Sequence, residues 1–169
     1  MCGSLGSAPA PWKQPLRKDL QEPLITQAGL NSYPNLKGSF TFATLNDDNS
    51  KTFYSDSGAI ILRETESITG YVVQQCVYPF IVMVRSGGTR EKRKIYLKDL
   101  LDNIGRYLEG QPINIDGTTY VIDKPILEPP MEFKKLERTT PSYMLEPNTD
   151  NTEDWVINIQ LHYTNKFWR

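Results

Sequence analysis

Apolar residues form one continuous run near the middle of the chain and a periodic stripe directly after it. The run, Val77–Val84, is rich in β-branched and aromatic residues and is too short for a buried helix. Because both faces of the run are apolar, it predicts a central strand that is covered on both sides. Ser86–Thr89 then breaks the strand. The stripe that follows consists of Leu97, Leu101, Ile104 and Leu108. Its spacing of four, three and four predicts an amphipathic helix that begins near Tyr96 and is stopped by Gly110 and Pro112.

Shorter segments with alternating polarity predict further strands on either side of this centre. Ala59–Arg63 and Ile68–Gln75, with a polar turn at Glu64–Ser67 between them, predict an antiparallel hairpin that feeds the central strand. Asp116-Gly117 lies between two apolar alternations and predicts a hairpin with a type I′ turn. Trp155–Tyr163 alternates cleanly, which predicts a half-buried strand of an antiparallel sheet.

The remaining segments predict one more helix and several loops. Met1–Gln14 is rich in proline and predicts a flexible arm with Trp12 as an aromatic anchor. A helix is expected to open at Pro15 and to be interrupted at Pro23. Its apolar positions are Leu16, Leu20, Leu24 and Ala28. Residues 32–57 predict a loop-rich region with at most a marginal strand, and the prolines of residues 124–152 predict a long loop outside any sheet interior.

Taken together, the elements predict an α+β fold. Its expected architecture is a mostly antiparallel twisted sheet with two main helices packed on it, long loops and the N-terminal arm. Residues 1–14 form the predicted arm. Residues 15–169 form one predicted domain, with the long loop at about 124–152.

Composition narrows the functional classes but selects none of them. The formal net charge is −1, so the chain has no overall basic footprint for nucleic acid. No apolar run reaches the roughly 18 to 20 residues of a membrane span, and the first residues do not predict a signal peptide. Cys2 and Cys76 lie far apart in the sequence, which favours a reducing compartment over a disulfide framework.

The sequence predicts no catalytic residue, metal site or cofactor. His162 is the only histidine and has no local partner for acid–base chemistry, so a structural role is expected. One histidine and two distant cysteines do not make a usual zinc site. Asp47–Ser50 lacks the ligand alternation of a calcium loop, and Ser86–Thr89 lacks the lysine of a phosphate-binding loop. An enzyme using a carboxylate near Asp116 or within Glu128–Glu132 stays open as a minor alternative.

Two groups of residues are candidates for contacts with partners. The run Arg90–Lys94 precedes the predicted helix, where the helix dipole disfavours cations. It is therefore either a solvated loop tip or a patch that contacts phosphates or an acidic neighbouring subunit. The candidate subunit-interface or DNA-lumen residues are Arg85, Arg90, Lys92, Arg93 and Lys94. The candidate docking aromatics are Trp12, Phe167 and Trp168.

The order of these elements resembles the tail terminator (tail completion, or minor capsid) proteins of long-tailed bacteriophages. The resemblance runs from about Leu16 to Phe167 and is one of pattern rather than of a sharp signature. It rests on a first helix, a loop near Tyr33-Pro34, and an apolar strand from Tyr78 to Arg85. A helix with a Leu-Leu-x-x-Ile core at Leu100–Ile104, a hairpin and a last strand ending at Tyr163 complete it. The N-terminal arm and the Pro125–Asn151 loop depart from the family pattern.

The resemblance implies a non-enzymatic structural protein of the virion, located in the neck or tail and assembled in the host cytoplasm. Family members form hexameric rings that stop tail-tube polymerisation and join the tail to the head. The implied partners are further copies in a homo-hexamer, the tail tube protein and a head connector or head-completion protein. DNA would pass transiently through the ring lumen, and no membrane is involved. The alternatives are another phage head–tail adaptor or head-completion protein, or a non-enzymatic protein-binding domain.

Overall fold

Two antiparallel strands of 17 residues each, β4 (Tyr71–Gly87) and β9 (Thr152–Trp168), form the centre of the fold. They pair along their whole length, from Tyr71 opposite Trp168 to Gly87 opposite Thr152. At roughly 3.4 Å per residue, each strand is about 55 Å long. The computed structural model describes residues 21–34, 40–43, 51–87, 91–149 and 151–169. The central strand that the apolar run predicts is confirmed, and it is twice as long as the run itself.

Shorter strands line both edges of this long pair. On one edge, β2 (Lys51–Ser55) and β3 (Ile60–Glu66) pair antiparallel with successive parts of β4, and β1 (Phe40–Phe42) lies parallel to β2. On the other edge, β7 (Met131–Arg138) and β8 (Tyr143–Met144) pair antiparallel with successive parts of β9. A separate hairpin consists of β5 (Ile113–Ile115) and β6 (Thr118–Tyr120). With helices α1 (Gln21–Asn31) and α2 (Glu91–Leu108), the α+β prediction is confirmed.

The hydrophobic core lies on one face of the seven-stranded sheet. Alternate residues of β4, such as Phe80 and Val82, join alternate residues of β9, such as Ile157 and Ile159. Both helices add their buried side chains to this face. The α2 residues are Leu97, Leu101, Ile104 and Leu108, as the stripe predicts, together with Tyr107. Both helices lie on this face, although Val77, Met83 and Val156, which alternate with the core residues, are buried as well.

Helix α2 starts earlier than its apolar stripe predicts. It begins at Glu91 rather than Tyr96, so Lys92, Arg93 and Lys94 lie inside the helix and not in a loop before it. Glu91 in the first turn is favourable for the helix dipole and helps to tolerate the basic residues that follow. The periodic stripe fails to show this start because the first residues of α2, up to Tyr96, are exposed or half-buried.

Glycine ends α2 where the sequence predicts it. Gly110 adopts a φ of +85°, and its N–H donates to the Tyr107 carbonyl at 3.0 Å. The Gln111 N–H donates to the Arg106 carbonyl, also at 3.0 Å. These two bonds form a Schellman motif, which satisfies the last carbonyls of the helix.

The predicted turns are found, although one is displaced. Asp116 and Gly117 have φ angles of +51° and +82°, which fit the type I′ turn between β5 and β6. The turn between β3 and β4 lies at residues 67–70, three residues later than expected. Ile68 therefore lies at the exposed hairpin tip instead of in a strand.

The long loop expected at residues 124–152 is partly wrong. Its prolines flank an eight-residue edge strand, β7, because none of them falls between Met131 and Arg138. The loop-rich region at 32–57 likewise contains β1 and β2. In α1, Pro23 falls in the first turn and is tolerated there, whereas Leu24 is exposed and its neighbour Ile25 is buried.

Several predicted features lie outside the described residues. These are Trp12 and the N-terminal arm, Leu16 and Leu20 of the first helix, Asp47–Ser50, and Arg90. Among the helices that are described, none combines the length and the apolar character needed to cross a membrane.

Candidate assembly surfaces

The start of α2 and the ends of two neighbouring strands bring basic side chains together at one end of the sheet. The group, here called the basic corner, consists of Lys51, Lys92, Arg93 and Lys94. Lys51 opens β2, and the other three lie in the first turns of α2. Burial lowers the pKa of Lys51, and the positive charge of Arg93 lowers it further. Sequence analysis missed Lys51 because it lies about forty residues from the basic run.

One residue of the basic corner is neutralised within the chain. Lys94 Nζ lies 2.7 Å from Glu153 Oε1, and the Glu153 side chain is only 10% exposed. The carboxylate approaches the start of α2, where a negative charge is favourable. Lys94 therefore holds α2 against β9, whereas Lys92 is exposed and has no ion pair among the described residues.

Arg85, near the end of β4, is held in a bidentate ion pair. Its Nε lies 2.8 Å from Asp154 Oδ1, and its Nη2 donates to Asp154 Oδ2 at 3.0 Å. The Asn148 amide also donates to Asp154 Oδ2, at 3.1 Å. These bonds fix the strand ends and the loop after β8 to one another. Arg85 thus has a structural partner, and a contact with DNA phosphate would have to compete with Asp154.

Exposed apolar residues lie on β3 and at the end of the long strand pair opposite the basic corner. β3 is exposed along all seven residues and begins with Ile60, Ile61 and Leu62, whose exposed fractions are 43%, 53% and 62%. These three residues lie level with the middle of β4. Ile68, at the tip of the β3–β4 hairpin, is fully exposed and lies at the end of the pair. Exposed apolar clusters often mark a contact with another molecule.

The C-terminal residues are attached to this apolar end. Trp168 packs against Tyr71 with ring centroids 4.9 Å apart, but remains 68% exposed, whereas Phe167 is half-buried beside Val72. The Arg169 guanidinium reaches Glu64 and Glu66 at 2.7 Å each. Of the candidate docking aromatics within the described residues, Trp168 therefore presents the larger free surface.

An open depression of about 470 Å³ lies beside the Arg85–Asp154 pair. Thr52, Tyr54 and Met83 complete most of its lining. A second depression, of about 290 Å³, is lined by residues that include Lys134, Lys135 and His162. In neither depression do the described side chains form a group of three potential metal ligands.

His162 and Cys76, the two groups of the second depression most often used in catalysis, have structural surroundings. His162 Nε2 lies 3.2 Å from Glu137 Oε2. Burial and the charge of Lys135 lower the pKa of His162, against the opposing effect of Glu137. Burial raises the pKa of the Cys76 thiol, which disfavours the reactive thiolate.

Tyr163 links the second depression to α1. Its hydroxyl donates to Glu22 Oε1 at 2.8 Å, and burial together with this carboxylate raises the Tyr163 pKa. Tyr163 thus connects three elements: it contacts Cys76 of β4 and Glu22 of α1 from its own position in β9.

Comparisons with known proteins give a weak structural likeness only. No protein-family model matches the chain, and no curated protein matches its sequence. Among solved structures, a chain from the virion of a native gene transfer agent particle is similar, with a TM-score of 0.47 and 7% sequence identity. The match covers 81% of this chain and 90% of the other. At this TM-score and identity, the likeness carries no argument about function.

Proposed function

We propose that this protein is a structural component of a phage virion, and more specifically a ring-forming protein of the neck that terminates the tail tube and joins it to the head connector. The order of elements that resembles the tail terminators is retained in the fold. The observation that carries the proposal is the form of the sheet: among the described residues, β3 on one side and β7 on the other have no further strand paired with their outer edges. A subunit with two open edges on opposite sides is suited to join a neighbour at each edge and so to close a ring.

The two ends of the long strand pair differ in chemistry, as a joint between two different structures requires. The basic corner occupies one end, and Ile68 and Trp168 occupy the other. We assign the apolar end to contact with a neighbouring protein, where burial of apolar area stabilises binding. The basic corner is assigned to the lumen or to an acidic subunit, since Lys92 is exposed and has no ion pair among the described residues.

The proposed role is structural rather than catalytic. It assigns the ion pairs of Arg85 and Lys94 to the fold, and it assigns no reaction to His162 or to the carboxylates near Asp116 and Glu128–Glu132. An exposed carboxylate at those positions contributes to the polar surface of the subunit.

The decisive experiment combines mass photometry with negative-stain imaging of the purified chain, alone and with tail tubes that lack their terminal ring. We expect hexameric rings, and tubes that stop growing once they carry one ring at their end. A chain that stays monomeric at every concentration and leaves the tubes unaltered would refute the proposal. Rings that bind the head connector but never the tube would instead indicate a head–tail adaptor.

A further inference from the structure

The outer edge of β3 is only partly protected. Natural edge strands are usually protected by charge, proline, a bulge or shortness. The second half of β3 has charged residues, but its first three residues, Ile60, Ile61 and Leu62, are exposed without a covering element in the described part of the chain. Arg63 follows them, exposed and without an ion-pair partner among the described residues. This edge therefore combines apolar area, unpaired backbone groups and one unpaired charge.

The opposite edge of the sheet, β7, lies at the same height along the long strands. Ile60 of β3 pairs with Val77, which pairs with His162, and Lys135 of β7 pairs with the same His162. In the same way, Glu64 and Met131 both lie level with Asn165. A second copy placed beside the first, in the same orientation, would therefore bring its β3 next to β7.

Strand directions also permit this contact. β3, β4, β9 and β7 alternate strictly in direction, since each pairs antiparallel with the next. A neighbouring β3 placed outside β7 continues the alternation and would pair with it in the antiparallel sense.

β3 and β7 each contain one bulge, so the two strands have equal numbers of residues where they would pair. β3 has a bulge between Ile61 and Arg63, which adds Leu62 relative to β4. β7 has a bulge between Phe133 and Lys135, which adds Lys134 relative to β9. Between the level of His162 and the level of Asn165, each edge strand therefore has one residue more than the strand it pairs with. Five residues of β3, Ile60–Glu64, thus match five of β7, Met131–Lys135, in a regular register without a bulge.

The side chains that this register brings together are complementary. Leu62 falls opposite Phe133, which gives an apolar pair, and Arg63 falls opposite Glu132, which gives an ion pair. Cross-strand pairs of both kinds stabilise antiparallel sheets. Glu132 already contacts Lys166 at 3.2 Å and Lys134 at 3.4 Å, so Arg63 would join an exposed charge network.

We propose that β3 of one subunit pairs antiparallel with β7 of the next, with Ile60–Glu64 opposite Met131–Lys135, so that the sheet continues from subunit to subunit. The inference rests on the proposed function in its choice of a second copy as the partner. The contact is head-to-tail: each subunit uses both edges, and repetition gives either a closed ring or a filament.

Disulfide cross-linking at the predicted register tests this contact. In a Cys2→Ser background, which leaves Cys76 buried, Arg63→Cys and Glu132→Cys are combined in one chain. Within one subunit these positions are three strand spacings apart, roughly 14 Å, which is beyond disulfide reach. Mild oxidation is expected to give a ladder of covalent oligomers up to the size of the ring on a non-reducing gel. A mixture of the two single variants is expected to stop at the dimer.

A shifted pair provides the matched control. Thr65→Cys with Glu132→Cys uses equally exposed positions two residues out of register. This shift separates the thiols by about 7 Å along the strand, so at least about tenfold less cross-linking is expected. Circular dichroism of each variant verifies that the fold is retained.

The possible results separate the contact from the neck function. Rings that form on tail tubes while the Arg63→Cys/Glu132→Cys variant cross-links no more than the shifted control would overturn the edge contact and leave the neck function standing. A register-specific ladder without tube capping would support the edge contact and contradict the neck function. A ladder together with capped tubes would support both.

Discussion

Replacing Gly105 by alanine tests how closely α2 packs on the sheet. Gly105 lies on the buried face of the helix. A Cβ added there would collide with the Arg138 side chain and would lie 2.9 Å from Ile157 Cδ1. Ile157 is completely buried. Arg138 is held by Glu109, with Nε–Oε1 at 3.0 Å and Nη2–Oε2 at 3.2 Å. Neither neighbour is therefore free to retreat.

The expected magnitude follows from two opposing effects. Alanine is favoured over glycine inside a helix by about 1 kcal/mol. Overpacking a well-filled core costs about 1 to 3 kcal/mol, and disturbing the Arg138–Glu109 hydrogen bonds adds about 1 kcal/mol at this half-exposed position. We expect Gly105→Ala to lower the free energy of unfolding by about 1 to 3 kcal/mol. For a chain of this size, each kcal/mol lowers Tm by about 2 to 4 °C.

Gly29→Ala is the matched control, because Gly29 is also a buried helical glycine. An added Cβ there would lie 3.7 Å from Leu108 Cδ2, which is an ordinary van der Waals contact. Only the helix preference remains, so this substitution is expected to stabilise the chain by up to about 1 kcal/mol. Urea unfolding followed by circular dichroism measures both variants. If Gly105→Ala stabilised the chain as Gly29→Ala does, the close packing of α2 on β7 and β9 would be wrong.

Three further predictions concern charged residues. Burial raises the pKa of Asp102, but hydrogen bonds from Lys98 and Ser142 outweigh it and hold this pKa below its ordinary value. The stabilisation is therefore present above about pH 4 and is lost as the pH falls through the folded pKa, so urea unfolding should show Asp102→Asn destabilised at pH 7 and the difference from the wild type shrinking as the pH falls below about 4. Lys92→Gln with Arg93→Gln should leave Tm unchanged but weaken rings or DNA passage, whereas Arg106→Gln on the same helix should not. Normal infectivity of the double variant would indicate a merely solvated surface. Deleting Arg169 removes its contacts with Glu64 and Glu66, so hydrogen exchange should become faster in the β3–β4 turn. Unchanged exchange there would show that the turn is ordered without this clamp.

The elements that the sequence predicts best are those whose pattern is local. The stripe of α2, the Asp116-Gly117 turn and the alternation of β9 each depend on residues within one segment. The start of α2 and the edge strand β7 were missed, each because its local pattern is weak. Exposed basic residues leave no periodic apolar signal, and the prolines around β7 hide a strand that needs only one paired neighbour.

The candidate surfaces were only partly accessible to sequence reasoning. The basic run is visible in the sequence, but the residues that interact with each basic side chain are not. Glu153 neutralises Lys94, Asp154 holds Arg85, and Lys51 joins from another strand. These contacts join residues that lie more than forty positions apart, so no local pattern encodes them.

The sequence by itself determined the α+β class, the central strand, the buried stripe of α2 and the turns, because backbone preference and hydrophobic periodicity act over a few residues. Tertiary structure alone decided that β4 and β9 pair over 17 residues, that β3 and β7 are edge strands among the described residues, and that their bulges lie at adjacent levels of the sheet. Strand register depends on which distant segments pair, and that choice is made by burial of the whole core rather than by any one segment.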